Sequence, residues 1–248
     1  MKSVLQRSRE GLFTTTKTDR TVSSAASASE ILLLFVTVPL TDKRKLMAKV
    51  LNLRITSSPL KATHVIVGDE EHHIRRTAKL MSSLCVTPHI LKAAWLDESY
   101  KQKKVKSTSH YTLLNDYIAE KTYSFSMKQT IKEGKERRKY GGLLNGWKIL
   151  ICDGVAGKKA PKEAELRMMI EAAGGSWLES SDVPVAVEED PVHVVVITSH
   201  PATTEQLNDE KAKTAAENAG AGFFTTSWLF DSFMHQKMFG IRRGLGDY

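Results

Sequence analysis

Two short words occur twice in this chain, in the same order, and they constrain its fold more than any other feature. "THVIV" at 63–67 returns as "VHVVV" at 192–196, and "WLDES" at 95–99 returns as "WLFDS" at 228–232. The first word is a largely apolar run of strand length, as in a strand buried on both faces. The second places a tryptophan near the head of an amphipathic helical stretch. Recurrence of such words signals an internal repeat, so the chain is predicted to hold two copies of one α/β unit.

The segments between the words fit that reading. In the first half "ILLLFVTV" (31–38) reads as a buried strand. "TDKRKLMAKVLNL" (41–53) reads as a helix capped by Thr41 or Asp42, with Leu46, Val50 and Leu53 on its apolar stripe. "ATHVIVGD" (62–69) is a second buried strand, "EEHHIRRTAKLMSSL" (70–84) an amphipathic helix, "PHIL" (88–91) a short strand and "AAWLDESYKQK" (93–103) a last helix. "WKILICDGV", "PKEAELRMMIEAAGG", "VHVVVITS", "TTEQLNDEKAKTAAENAG" and "FFTTSWLFDSFMHQK" carry the same alternation through residues 147–237. The predicted class is α/β: two tandem repeats, each a central parallel four-stranded sheet flanked by helices, joined by a partly helical linker. The predicted boundaries are a disordered Ser/Thr-rich lead-in over 1–29, a first repeat over 30–112, a linker over 113–141 and a second repeat over 142–243. Tyr117, Tyr123, Phe125, Met127 and Ile131 in the linker predict that part of it packs against a domain.

The 248 residues leave room for two domains. The longest apolar stretch, Ile31 to Val38, falls far short of the roughly 20 residues of a membrane span, so no membrane partner is expected. "MKSVLQRSREGLF" lacks the apolar centre of a secretory signal. Cys85 and Cys152 stand apart with no motif around them, which favours a reducing, intracellular compartment. The net charge of +8 points to acidic partners. Much of it sits in "KQKKVK" (101–106) and "KEGKERRKY" (132–140), runs that read first as solvated surface and lack the aromatics of a single-strand groove. Nucleic acid is therefore a secondary partner. His64, His72, His73 and His89 make no metal-ligand spacing with a cysteine. "GVAGKK" (154–159) lacks the phosphate-cradling pattern of a P-loop. With no glycine fingerprint, nucleophile elbow or converging carboxylates, neither catalysis nor a cofactor is expected.

The Trp-centred helices, the "ATHVIV" and "VHVVVI" strands, "AAGGSW" (172–177) and "GLLNGWKILI" (142–151) together resemble the tandem BRCT family of DNA-damage adaptor proteins. The resemblance covers about residues 30–240. Its most specific stretch is "RRTAKLM" (75–81), similar to the R-T-x-K segment of phosphopeptide-binding pairs, above all checkpoint mediators that read a phosphorylated histone tail. It implies a nuclear, non-enzymatic adaptor whose partner is a phosphoserine protein or peptide. In the family the first strand usually ends in Ser/Thr-Gly. Here "FVTVPL" offers Thr37 as the hydroxyl with Val38 in place of the glycine, or, one residue earlier, Val36 and Thr37 in those roles.

The residues support such a site in their own terms. On a helix, Arg75 would pair with Glu71 one turn earlier. Arg76 and Lys79 would find no carboxylate within a turn and would repel each other. A phosphate carries nearly two charges and three strong acceptors. Lysine serves it as a point charge, whereas arginine's fork suits a carboxylate or carbonyl. The resemblance then assigns Thr37, Val38, Thr77 and Lys79 to the phosphate. It assigns Arg76 to the peptide backbone or terminal carboxylate three residues on, beside Met81, Ala160 and Pro161, with core packing an equal use for Met81. The rival readings are a scaffold pair that binds DNA or protein without phosphate, and an accessory region of an enzyme.

Overall fold

The uninterrupted apolar runs become the central strands of two sheets. The first repeat runs β1 (Leu32–Val36), α1 (Asp42–Val50), β2 (Arg54–Ile55), β3 (His64–Val67), α2 (Ala78–Val86), β4 (Ile90–Leu91) and α3 (Ala94–Lys101). The linker holds α4 (Tyr117–Tyr123) and α5 (Met127–Lys139). The second repeat runs β5 (Lys148–Ile151), α6 (Glu163–Ala172), β6 (Ser176–Leu178), β7 (Val194–Thr198), α7 (Thr204–Asn208), α8 (Glu210–Asn218), β8 (Phe223–Thr225) and α9 (Thr226–His235). The computed structural model describes residues 30–68, 71–158, 160–183, 193–218 and 222–241. The lead-in predicted over 1–29 lies outside them, as do residues 69–70, 192 and 219–220 of the predicted elements.

Both sheets are parallel, in the orders β2-β1-β3-β4 and β6-β5-β7-β8, so the two repeats share one topology. Parallel neighbours need crossover helices, and these cover both faces of each sheet. The tryptophans match in detail. The indole N–H of Trp95 donates to the Lys106 carbonyl at 2.9 Å, and that of Trp228 to the Phe239 carbonyl at 2.8 Å, each eleven residues further along. They differ in burial: Trp95 is fully enclosed and Trp228 is half-buried.

Three predicted elements come out differently. The helix predicted over 70–84 starts only at Ala78, where the Thr77 hydroxyl accepts the Leu80 N–H and caps the first turn. Arg75 and Arg76 therefore lie on an irregular approach, and spacing along a helix does not govern their partners. On α1 the buried positions are Met47 and Ala48, continued by Leu51 and Leu53, while Leu46 and Val50 face solvent. The helix predicted over 203–220 breaks at Asp209, whose carboxylate accepts the Ala212 N–H at 2.8 Å and caps a new helix.

The repeats pack through α2, which lies against α6, α5 and α9. Leu80, Met81 and Leu84 share one core with Leu166, Met169, Ile170, Leu229 and Phe233. The linker helix α5 fixes this arrangement. Arg138 donates to the Leu84 carbonyl at 2.8 Å, Arg137 to the Gln236 carbonyl at 3.2 Å, and the Thr130 hydroxyl to the Met234 carbonyl. Gly134 permits the close approach, since a Cβ there would stand 3.1 Å from the Leu84 carbonyl oxygen. The run 132–140 is thus not simply solvated surface: two of its arginines are struts between the repeats. Entry into the second repeat is equally tight. Side chains at Gly142 or Gly174, both at positive φ, would collide with the carbonyls of Ala173 and Gly141.

Candidate functional site

A crossover helix runs antiparallel to the strands it joins, so the N-terminus of α2 sits at the end of the sheet where β1 and β3 terminate. Ligands of open parallel sheets gather at that end. Thr37 follows β1 with φ +65°, a left-handed conformation unusual for a β-branched residue. Such strain costs on the order of 1–2 kcal/mol and tends to cluster at functional sites. Its hydroxyl is buried and has no hydrogen-bond partner. Val38 turns its side chain into the core with Ile31, Leu33 and Met47, so only its backbone faces the site. The left-handed backbone falls on Thr37 and not on Val38.

Lys79 occupies the first turn of α2 and is exposed. No acidic residue stands in that turn, and among the described residues no carboxylate lies within ion-pair distance of Lys79. A cation there opposes the helix dipole, an arrangement that becomes favourable when an anion arrives. Thr77 accepts from Leu80 and keeps its hydroxyl proton for a second partner.

Arg76 is held on several sides. One guanidinium nitrogen meets Asp231 of α9 at 2.7 Å, and the group lies 5.2 Å from the Tyr123 ring centre and 5.4 Å from that of Phe230. Its backbone N–H reaches the Tyr123 hydroxyl at 3.4 Å. Sequence spacing missed Asp231, Tyr123 and Phe230. Asp231 lies within the repeated word "WLFDS", but nothing local indicates which cation it meets. The approach to α2 is pinned by a second missed residue, Asp116. Its carboxylate accepts the N–H groups of Ile74 at 2.8 Å and Ala119 at 3.0 Å, with the His73 imidazole 3.4 Å away.

Met81 is 1% exposed and belongs to the inter-repeat core, so it can form a floor but not a rim. Ala160 and Pro161 are half-buried on the loop before α6, and Ala160 borders a cavity of about 250 Å3 with Lys158, His200 and Thr203. The two cysteines are free and buried, and burial pushes both thiols up to about 12, far from a reactive thiolate. Among the described residues no three His, Cys, Asp or Glu side chains converge as metal ligands, and no helix is long and apolar enough to cross a membrane.

Known proteins converge on one architecture. The model of the Regulator of Ty1 transposition protein 107 BRCT domain matches residues 15–113. The crystal structure of the S. pombe Brc1 BRCT5-BRCT6 domains superimposes with a TM-score of 0.65 over 86% of this chain and 96% of that one, at 20% identity. This chain has the fold of a tandem BRCT pair. In sequence, PAX-interacting protein 1 of Bos taurus is 28% identical over 129 residues, 52% of this chain and 12% of that protein. Mediator of DNA damage checkpoint protein 1 of Mus musculus is 30% identical over 144 residues, 58% of this chain and 7% of that protein. The BRCT pair thus spans about a tenth of the length of the relatives it matches.

Proposed function

We propose that this BRCT pair is a nuclear adaptor module of the DNA-damage response that binds a phosphoserine peptide, with a phosphorylated histone C-terminal tail as the first candidate. The observation that carries the reading is the unpaired cation of Lys79 at the head of α2, at the sheet end that also holds the strained Thr37 with its unsatisfied hydroxyl. The phosphate takes the Lys79 ammonium, the hydroxyls of Thr37 and Thr77 and the Val38 backbone. Arg76 has donors beyond the one held by Asp231 and offers them to the carbonyl or carboxylate three residues on. Met81 lies beneath that position, and Ala160 and Pro161 flank it. The likeness to a mediator of the DNA damage checkpoint supports the same reading. No residue in this set acts on a bond, so the module binds and does not catalyse.

The scaffold reading rests on the basic runs, and Arg137 and Arg138 are already committed to carbonyls between the repeats. Titration of a phosphoserine peptide and its unphosphorylated twin at two salt concentrations separates the readings. Binding of the phosphorylated form alone is expected. Indifference to phosphate, with DNA affinity that falls steeply with salt, would favour the scaffold.

A further inference from the structure

A cavity of about 790 Å3 is unused by the site described above. Its lining is mixed: Arg44, Glu71, Lys92, Asp97 and Asp116 bring charge to it, and Leu113, Tyr117 and Ile118 give part of it an apolar surface. It adjoins the phosphate loop directly. Val36 pairs with Val67 across β1 and β3, so Thr37 and Gly68 leave the sheet from neighbouring strand ends. Arg44 also holds the loop itself, donating to the Pro39 carbonyl at 2.8 Å. Arg76 is tied to Asp231 of the second repeat, whereas every residue that lines the cavity belongs to the first repeat or to the linker.

We infer that this cavity receives the residues immediately upstream of the phosphoserine, and that it selects a bulky aliphatic or aromatic side chain among them. The inference rests on the phosphoserine reading and deepens it. A peptide whose downstream residues reach Arg76 must send its upstream residues the other way, past Thr37 and Gly68. The occupant's apolar group meets the apolar part of this mixed lining, where Tyr117 is 75% exposed and its neighbour Ile118 50% exposed. Scattered apolar side chains on a surface need no explanation, but a neighbouring pair lining a cavity next to a ligand site does. The wall between cavity and phosphate site is preformed, because Asp116 fixes both Ile74 and the start of α4. Binding there costs little ordering of the protein.

The test uses the full chain and a phosphoserine peptide library with the four upstream positions randomised. Leu, Ile, Phe or Trp should be enriched at one of them. The selected peptide should then bind about tenfold more tightly than its truncation beginning at the phosphoserine, a difference of about 1.4 kcal/mol. Ala94→Trp, which fills the cavity from the head of α3, should erase that tenfold gain and leave the truncated peptide's affinity as it was. Ile118→Ser, at an exposed position, serves the same purpose without added bulk. Equal affinities for the two peptides, or variants that weaken both alike, would overturn the inference while the phosphoserine reading stands. Failure of both peptides to bind the parent would remove that reading and this inference together.

Discussion

The guanidinium of Arg76 and the carboxylate of Asp231, 155 residues apart in sequence, meet at 2.7 Å and couple the two repeats at the edge of the candidate site. Both side chains are partly exposed, so the pair contributes at most about 1 kcal/mol to stability. Its larger consequence is for ligands. A peptide ending three residues after the phosphoserine must share Arg76 with Asp231. Amidating that terminus should weaken binding by about 1 kcal/mol in the parent and by more in Asp231→Asn, where the fork is released. Arg76→Lys should remove most of the difference, because a lysine cannot make a bidentate pair. Calorimetry with free and amidated peptides checks this, and equal affinities in all three proteins would refute it.

The two tryptophans should differ in weight. Trp95→Ala empties a fully enclosed site and should cost about 3–5 kcal/mol. Trp228→Ala should cost clearly less, since its ring is half-exposed and packs at a tilt against Phe224, ring centres 4.3 Å apart. Denaturant midpoints measure both. Equal losses would mean that Trp228 is as enclosed as its counterpart.

Acid should destabilise the first repeat through a stacked histidine pair. His64 lies between His89, 4.5 Å away, and Trp95, 5.4 Å away. Burial, then the neighbouring His89, lowers its pKa from 6.5 to about 4. Burial lowers His89 as well, helped by Arg138. Between pH 6.5 and about 4 the unfolded chain takes up a proton that the folded His64 refuses. Stability is therefore constant from this source above pH 6.5 and falls as the pH drops towards 4, by on the order of 3 kcal/mol in total. His64→Phe should flatten that slope in chemical denaturation at several pH values. An unchanged slope would assign the acid sensitivity elsewhere.

The repeat architecture was legible because its signal is redundant: apolar runs, capping threonines and Trp-centred words all report the same unit. Spacing failed where two answers satisfied it. On α1, Leu46 and Val50 fit one stripe and Met47 and Leu51 another, and only the sheet beneath decides between them. The pattern over 70–84 overstates the helix because its charges invite one-turn pairing, while the Thr77 cap that starts the helix is a single residue. Partners such as Asp231 for Arg76, or Leu84 for Arg138, lie far along the chain, and local patterns carry no information about them. Among the described residues no carboxylate pairs with Lys79, as the spacing of charges along the chain predicts.

The most direct test of the phosphate site is a double comparison of the parent and Lys79→Met against a phosphoserine peptide and its unphosphorylated twin. The substitution removes an exposed side chain and should leave the unfolding midpoint unchanged. Binding of the phosphorylated peptide should weaken by about 1.5–3 kcal/mol, as for a hydrogen bond to a charged group, while the unphosphorylated peptide should bind both proteins equally weakly. Equal affinity of parent and variant for the phosphopeptide would contradict the assignment of Lys79 to the phosphate.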